Sequence, residues 1–245
     1  MDEYWVYHRP IAEHKVKGKP LGRHVKHDSR SRAHPYRRTE VPLKDNLVKR
    51  YIDILNQLQV GSCTGNAETG EIGSGANYAA FRSAYPSLAL DETFALGLYS
   101  AAEQIDGNGA YPPNDFGSSG LSVAQAAKNA GYISAYVHCM SLQDVLNALS
   151  SGRAVILGTN WYDSYDHTDS NGLVTISPGA QVRGGHEYLG RGIDVDKRLV
   201  HCDNSWGTEF GIQGSFDQGW GDLERLLSEQ GDGTISVPLQ SVVPA

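Results

Sequence analysis

An α+β protein with a helical first lobe and a strand-rich second lobe is what the 245-residue sequence predicts. Three observations lead there. Apolar residues at 40% and charged residues at 20%, with 28 Gly and 10 Pro, describe a loop-rich globular chain long enough to bury a substantial core. Capped helical patterns fill residues 62–152. Beyond them the periodicity changes to short apolar runs separated by Gly, Asp and Asn turns.

Residues 1–48 show neither helical nor strand period. Their Pro, His, Arg and Lys content reads as an extended leader wrapping the body, with little regular structure expected. The apolar lead-in YIDILNQLQVGSC follows, and Ser62 is placed to cap one helix of small residues, TGNAETGEIGSGANYAAFRSAY. So many small side chains fit a helix packed closely on its neighbours, since Gly costs about 1 kcal/mol relative to Ala inside a helix. DETFALGLYSAAEQID and LSVAQAAKNAG continue the helical lobe, separated by the loop GNGAYPPNDFGSSG, the second ending at Gly131. SLQDVLNALSSG carries Leu142, Val145, Leu146 and Leu149 on one face, Ser141 with Asp144 as a capping pair, and Gly152 as terminator. RAVILGTN, EYLGRGIDV, RLVHCDN and TISVPL are the expected strands. The domain division is a leader at 1–48 and a body at 49–245, helical over about 51–135 and β-rich over about 136–245.

Composition excludes several classes. No stretch approaches the roughly 18 apolar residues of a membrane helix, and MDEYWVYHRPIAEHK lacks the apolar core of a signal peptide, so a chain made and kept in the cytoplasm is expected. Three cysteines are too few for a disulfide framework and fit a reducing compartment. Charge is segregated: residues 1–50 hold 13 Lys and Arg against 6 Asp and Glu, the remainder 8 against 22. A basic arm can seek nucleic acid, but the plainer expectation is that it lies across its own acidic body.

The chemistry-bearing residues are few. Cys63 stands at a helix start, where the helix dipole and a neighbouring imidazolium are the usual means of producing a thiolate. His186 follows a Gly pair at the mouth of a strand, Asn204 ends the next strand, and Gln57 lies on the loop that delivers Cys63. Acyl transfer needs a nucleophile, a base, a group orienting the base, and donors for the oxyanion, and these four residues supply the types.

The run NQLQVGSC from Asn56 to Cys63, the pair Gly185-His186 and NSWGT from Asn204 to Thr208 together resemble the papain family of cysteine peptidases over roughly residues 50–237. His186 and Asn204 follow Cys63 by 123 and 141 residues, against roughly 130–150 in the family. The resemblance implies a two-lobed papain-like fold, an antiparallel β lobe carrying His and Asn, and an active site in the cleft. It implies Cys63 as nucleophile, His186 as general base and acid, Asn204 as the group holding the imidazole, and Trp206 as its shield. Gln57 and the Cys63 amide would form the oxyanion hole. Gly117 and Ser118 fall where the family pairs an extended substrate as an added strand. No cofactor or metal is implied, the partner would be a peptide or protein substrate, and a monomer is favoured.

There are departures. Val60 replaces a disulfide cysteine, Thr64 an aromatic residue, and Glu187 a small one; Glu187 either points away from the site or raises the imidazole pKa. The leader does not look like the family's longer, helical inhibitory propeptides, which run backwards through the cleft. It resembles the short leaders of bacterial and phage-encoded relatives, and is expected to be a permanent strap docked by Tyr4, Trp5, Val6 and Tyr7. His138-Cys139 and His201-Cys202 lack zinc spacing and read as packing residues, while NWYDSYDHTDSNG lacks calcium-loop spacing and reads as a solvated loop near the cleft, with Trp161 and Tyr162 as walls. The alternative reading is a weak or inactive papain-like protein that holds a peptide, for instance a virion component; a phage-encoded chain of either kind would be expected in a host cytoplasm or a virion. A cell-wall endopeptidase explains neither Gln57 nor the NSWG run.

Overall fold

The computed structural model describes residues 20–26, 35–36 and 42–239. Six α-helices occur among them: α1 Cys63–Ile72, α2 Gly75–Ala84, α3 Glu92–Ile105, α4 Gly120–Asn129, α5 Leu142–Ser150 and α6 Trp220–Ser228. The strands are β1 Asn46–Leu47, β2 Ala135–Cys139, β3 Val155–Tyr162, β4 Leu173–Val174, β5 Val182–Asp194, β6 Leu199–Asp203, β7 Ser215–Gly219 and β8 Asp232–Val237. They form one sheet in the order β2-β8-β3-β5-β6-β7-β4, with β1 also on β5; every pair is antiparallel except β4–β7. No helix among the described residues is long and apolar enough to cross a membrane.

The predicted cap at Ser141 forms, whereas Ser62 stands at the N-cap position of α1 without a capping bond and donates from Oγ to Asn66 Oδ1 instead (2.9 Å). Asp91 accepts from Phe94 N–H, Ser119 from Ser122 N–H and Ser141 from Asp144 N–H, each satisfying a first-turn donor. The helix of small residues, read as one, is two. Lys49 and Tyr51 bond to Gly75 and Gly73 across the break, and Gly75 turns with φ +51°, so the lead-in strand interrupts the helix that local propensity would continue. Five elements were not expected: β1, inside the leader, and β2, β4, β7 and α6, which become regular only against the sheet.

Two cores result. The helical side buries Ile72, Phe81, Phe94, Leu98, Val123 and Ile133. The sheet side buries Leu146, Leu149, Leu157, Trp161, Tyr188, Phe216 and Leu223. A thin seam of Val48, Ala67, Ala154, Ile156 and Leu189 joins them, and above it the α1 N-terminus faces the long strand β5. Small residues on α1 explain the closeness: a Cβ on Gly65 would sit 2.3 Å from the Ala95 carbonyl of α3.

Candidate active site

Cys63 is the first residue of α1 and is fully buried, after Ser62 at the N-cap position. His186 and Glu187 lie mid-way along β5, opposite Thr159 and Gly158 of β3. Asn204 and Trp206 follow β6 directly. The loop carrying Gln57 is tied to that turn by backbone bonds: Gln57 N–H donates to Ser205 O (2.9 Å) and Gly207 N–H to Leu55 O (3.1 Å). Gln57 is positioned by its own side chain as well, accepting from Ser205 Oγ (2.6 Å) and donating from Nε2 to Val60 O (2.8 Å). A sheet-side turn and a helix-side loop therefore share one polar knot.

His186 Nε2 pairs with Asn204 Oδ1 at 2.8 Å, and Ser205 N–H donates to the same oxygen at 2.7 Å. The imidazole is enclosed by aromatic rings, with Trp161 4.8 Å away edge-on and Trp206 4.9 Å away. Trp161 Nε1–H donates to Asp166 Oδ1 (3.0 Å), and Arg183 pairs with Asp166 (3.3 Å), so part of the acidic stretch read as a solvated loop braces the ring against His186. Trp206 lies on the imidazole. His186 Nδ1 is buried with no hydrogen-bond partner among the described residues.

The leader passes through this cleft. Ser118 N–H donates to Gly22 O (2.8 Å), His24 N–H to Ser118 O (2.6 Å) and Arg23 N–H to Gly185 O (3.0 Å), and Arg23 pairs with Ser118 in a parallel bridge. Pro20 O faces Gln57 Nε2 at 3.4 Å, and Lys26 Nζ reaches Asp106 (2.7 Å) and Ser122 Oγ (3.0 Å) beside α4. The fit is close enough to require glycine. A Cβ on Gly22 would fall 1.8 Å from Gly61 O, and one on Gly117, at φ +82°, 2.2 Å from Gly22 O. Ser118 makes the ladder bonds; Gly117 donates instead to Tyr99 OH at 2.9 Å and supplies the room. Tyr4 to Tyr7 lie outside the described residues.

Covered in this way, the site favours neutral groups. Burial, then the Glu187 carboxylate, push the Cys63 thiol up to about 12, against the pull of the Glu187, Gly22 and Thr64 backbone amides. Burial also lowers His186 to about 4, although its bond to Asn204 opposes the shift. A thiolate–imidazolium pair, which the resemblance leads one to expect, is not the favoured state beneath the leader. Glu187 points to the other face of β5 from His186, and burial and the neighbouring Asp232 hold its carboxyl well above the usual range.

The remaining candidates lie away from the cleft chemistry. His138 is buried, with Nδ1 3.2 Å from Thr234 Oγ1, and Cys139 and Cys202 are buried in the sheet core. His201 pairs with Asp217 at 2.6 Å. No group of three His, Cys, Asp or Glu side chains suited to a metal occurs among the described residues. Three participants escaped sequence reasoning: Arg23 and Gly22, in a segment with no period to mark them, and Asp232, which is 169 positions from Cys63 and reaches the cleft only because β8 pairs with β3.

No protein-family model matches the chain, and no curated protein sequence matches it. Solved structures do. Xylellain, a cysteine protease from Xylella fastidiosa, superposes with TM-score 0.68 at 17% identity, covering 90% of this chain and 96% of that one. Procathepsin B S9 from Trypanosoma congolense gives 0.64 at 13% identity over 90% of this chain and 87% of that one. Digestive procathepsin L 3 of the Tenebrio molitor larval midgut gives 0.58 at 15% identity, with 89% and 75% covered. The fold of this chain is therefore that of the papain-like cysteine proteases.

Proposed function

We propose that the protein is a cysteine peptidase in which Cys63 attacks a peptide carbonyl, His186 moves the proton from thiol to leaving amine, and Asn204 fixes the imidazole. The observation that carries this reading is His186 Nε2 bonded to Asn204 at 2.8 Å beneath Trp206, on the strand facing the α1 N-terminus that holds Cys63. That bond leaves Nδ1 as the nitrogen free to exchange a proton with the thiol. Gln57 Nε2 and the Cys63 amide would stabilise the oxyanion, and Nε2 already donates, at long range, to a leader carbonyl. Water then releases the acyl group.

The leader is the built-in block of this site. Its parallel pairing with Ser118, with Gly22 seated against Cys63, supports a backward passage that fills the cleft without offering a scissile bond in register. Two of the similar structures are pro-forms by name. This placement speaks for a removable inhibitor over the permanent strap that leader length and charge suggest. The filled cleft also favours, as a second reading, a protein that holds a peptide without cutting it.

Labelling with a peptidyl vinyl sulfone separates the two. Stoichiometric modification of Cys63 in a leader-released form, lost in His186→Ala, is the expected result. Absence of labelling, with peptide binding retained, would establish the holding protein instead.

A further inference from the structure

Where the leader pairs with Ser118, the Arg23 side chain turns inward and is completely buried. Its Nη2 donates to Asp232 Oδ2 at 2.5 Å and to Gln230 O at 2.8 Å. Two glycines shape the chamber. A Cβ on Gly158 of β3 would meet Arg23 Nε at 2.7 Å, Asp232 Oδ1 at 2.8 Å and Glu187 Oε1 at 3.0 Å; one on Gly120 of α4 would meet Glu187 Oε1 at 2.7 Å and Asp232 Oδ1 at 3.4 Å. Any larger residue at either position would fill the space that the charged groups occupy. Glu187 is fully buried; among the described residues neither of its carboxyl oxygens has a well-aligned hydrogen-bond partner, although the Gly120 backbone amide lies close enough to act on it.

Among the described residues, both oxygens of the buried Glu187 and Oδ1 of the partly exposed Asp232 lack a donor, and Arg23 Nε and Nη1 lack an acceptor; such unused polar capacity is costly in a core and informative in a binding pocket. The chamber opens onto the Ser118 ladder. A peptide added there as a strand sends the side chain of its paired residue into the same space. An apolar side chain would leave Asp232 Oδ2 and the Gln230 carbonyl without the donor that Arg23 supplies. Lysine brings a point charge where the guanidinium brings a planar fork of five N–H groups.

We infer that this chamber is a guanidinium pocket, so that the protein selects peptides carrying arginine at the residue paired with Ser118, and that Arg23 of the leader occupies it as a mimic of that residue. The inference names the substrate class of the proposed peptidase and rests on that reading, but the pocket itself can be tested without catalysis.

The experiment uses the full chain with Arg23→Ala, which vacates the chamber, and a set of otherwise identical extended peptides bearing arginine, lysine, citrulline or leucine at the paired position. Binding is read by fluorescence anisotropy in the additional Cys63→Ala background, and reaction by inactivation rates of the corresponding vinyl sulfones on the Cys63 form. Arginine should surpass citrulline, which keeps its shape but not its charge, by at least roughly tenfold in both readouts. The ratio should shrink towards one in Asp232→Asn. Because arginine and citrulline are compared on the same protein, the result does not depend on whether a pocket variant folds. Equal affinity for arginine and citrulline, or a preference for leucine, would overturn the pocket whatever the peptidase activity. Selective arginine binding without inactivation would keep the pocket and remove the peptidase reading.

Discussion

His186 and Glu187 are neighbours on β5, both fully buried, and face opposite sides of the sheet. Around His186 the environment is aromatic and dry, with Trp161 and Trp206 against the ring and a single neutral partner, Asn204. Around Glu187 it is ionic, with Asp232 and Arg23 sharing the chamber. Burial drives both groups towards neutrality, lowering the base and raising the acid. What differs is the remedy available: His186 has a hydrogen bond that tolerates either protonation state, whereas the Glu187 side needs a cation from outside the body. One strand thus separates the face proposed for proton transfer from the face proposed to bind charge.

The largest effect tests the aromatic face. Cys63→Ala should abolish labelling and lower turnover by about 10⁴-fold or more while leaving the circular dichroism spectrum unchanged, since the thiol adds little to packing. Gln57→Ala should reduce kcat by about 10²–10³-fold, the usual loss for one oxyanion donor. An unchanged rate would show that Gln57 serves only as the knot between Val60 and Ser205.

Trp161→Ala should destabilise the fold by about 3–5 kcal/mol in denaturant titrations, as truncation of large core aromatics does. It should also raise the His186 pKa, because water then reaches the ring. In the full chain the His186 imidazole resonance should titrate near 4 by NMR, well below the ordinary 6.5.

Thiol titration compares closed and open states. With the leader in place, iodoacetamide should modify Cys63 slowly at pH 8 and faster only as the pH climbs towards about 12. Arg23→Ala should loosen the leader and increase the rate at pH 8 by roughly tenfold or more, because thiolate is the reacting species. Equal rates in the two proteins would mean that the Arg23 contacts do not hold the block.

The smallest effect concerns another buried carboxyl, that of Glu68. Glu68 Oε1 accepts from Ser236 Oγ–H (2.7 Å), and burial raises the Glu68 pKa from 4.5 to about 7 although that bond opposes the shift. A carboxyl raised by folding supports the native state fully below pH 4.5, and this support is lost as pH rises through about 7. Glu68→Gln should therefore flatten the decline of Tm across that window relative to the parent protein.

Much of this was legible locally. The cap at Ser141 was read from the sequence because it needs only a short polar side chain three residues ahead of an amide; those at Asp91 and Ser119 follow the same rule but were not read, and Ser62, which was, makes no capping bond. Cys63, Gln57, His186 and Asn204 could be named because their neighbours form recognisable runs, and the last two do meet. The break between α1 and α2 could not be read, since it depends on backbone bonds from Lys49 and Tyr51. Nor could the orientation of Glu187, which alternation along a strand leaves open until the strand has a core on one side.

The sequence by itself determined the helical and strand-rich halves, the capped start of α5 at Ser141 and the residues to be proposed for acyl transfer, because periodicity, capping and short motifs act over a few positions. Only the tertiary structure decided that Gly22 and Arg23 enter the cleft, and that Asp232, Glu187, Gly120 and Gly158 enclose one guanidinium. Those residues belong to the leader, β8, β5, α4 and β3, and nothing but sheet pairing and lobe packing brings groups so distant in sequence around one chamber.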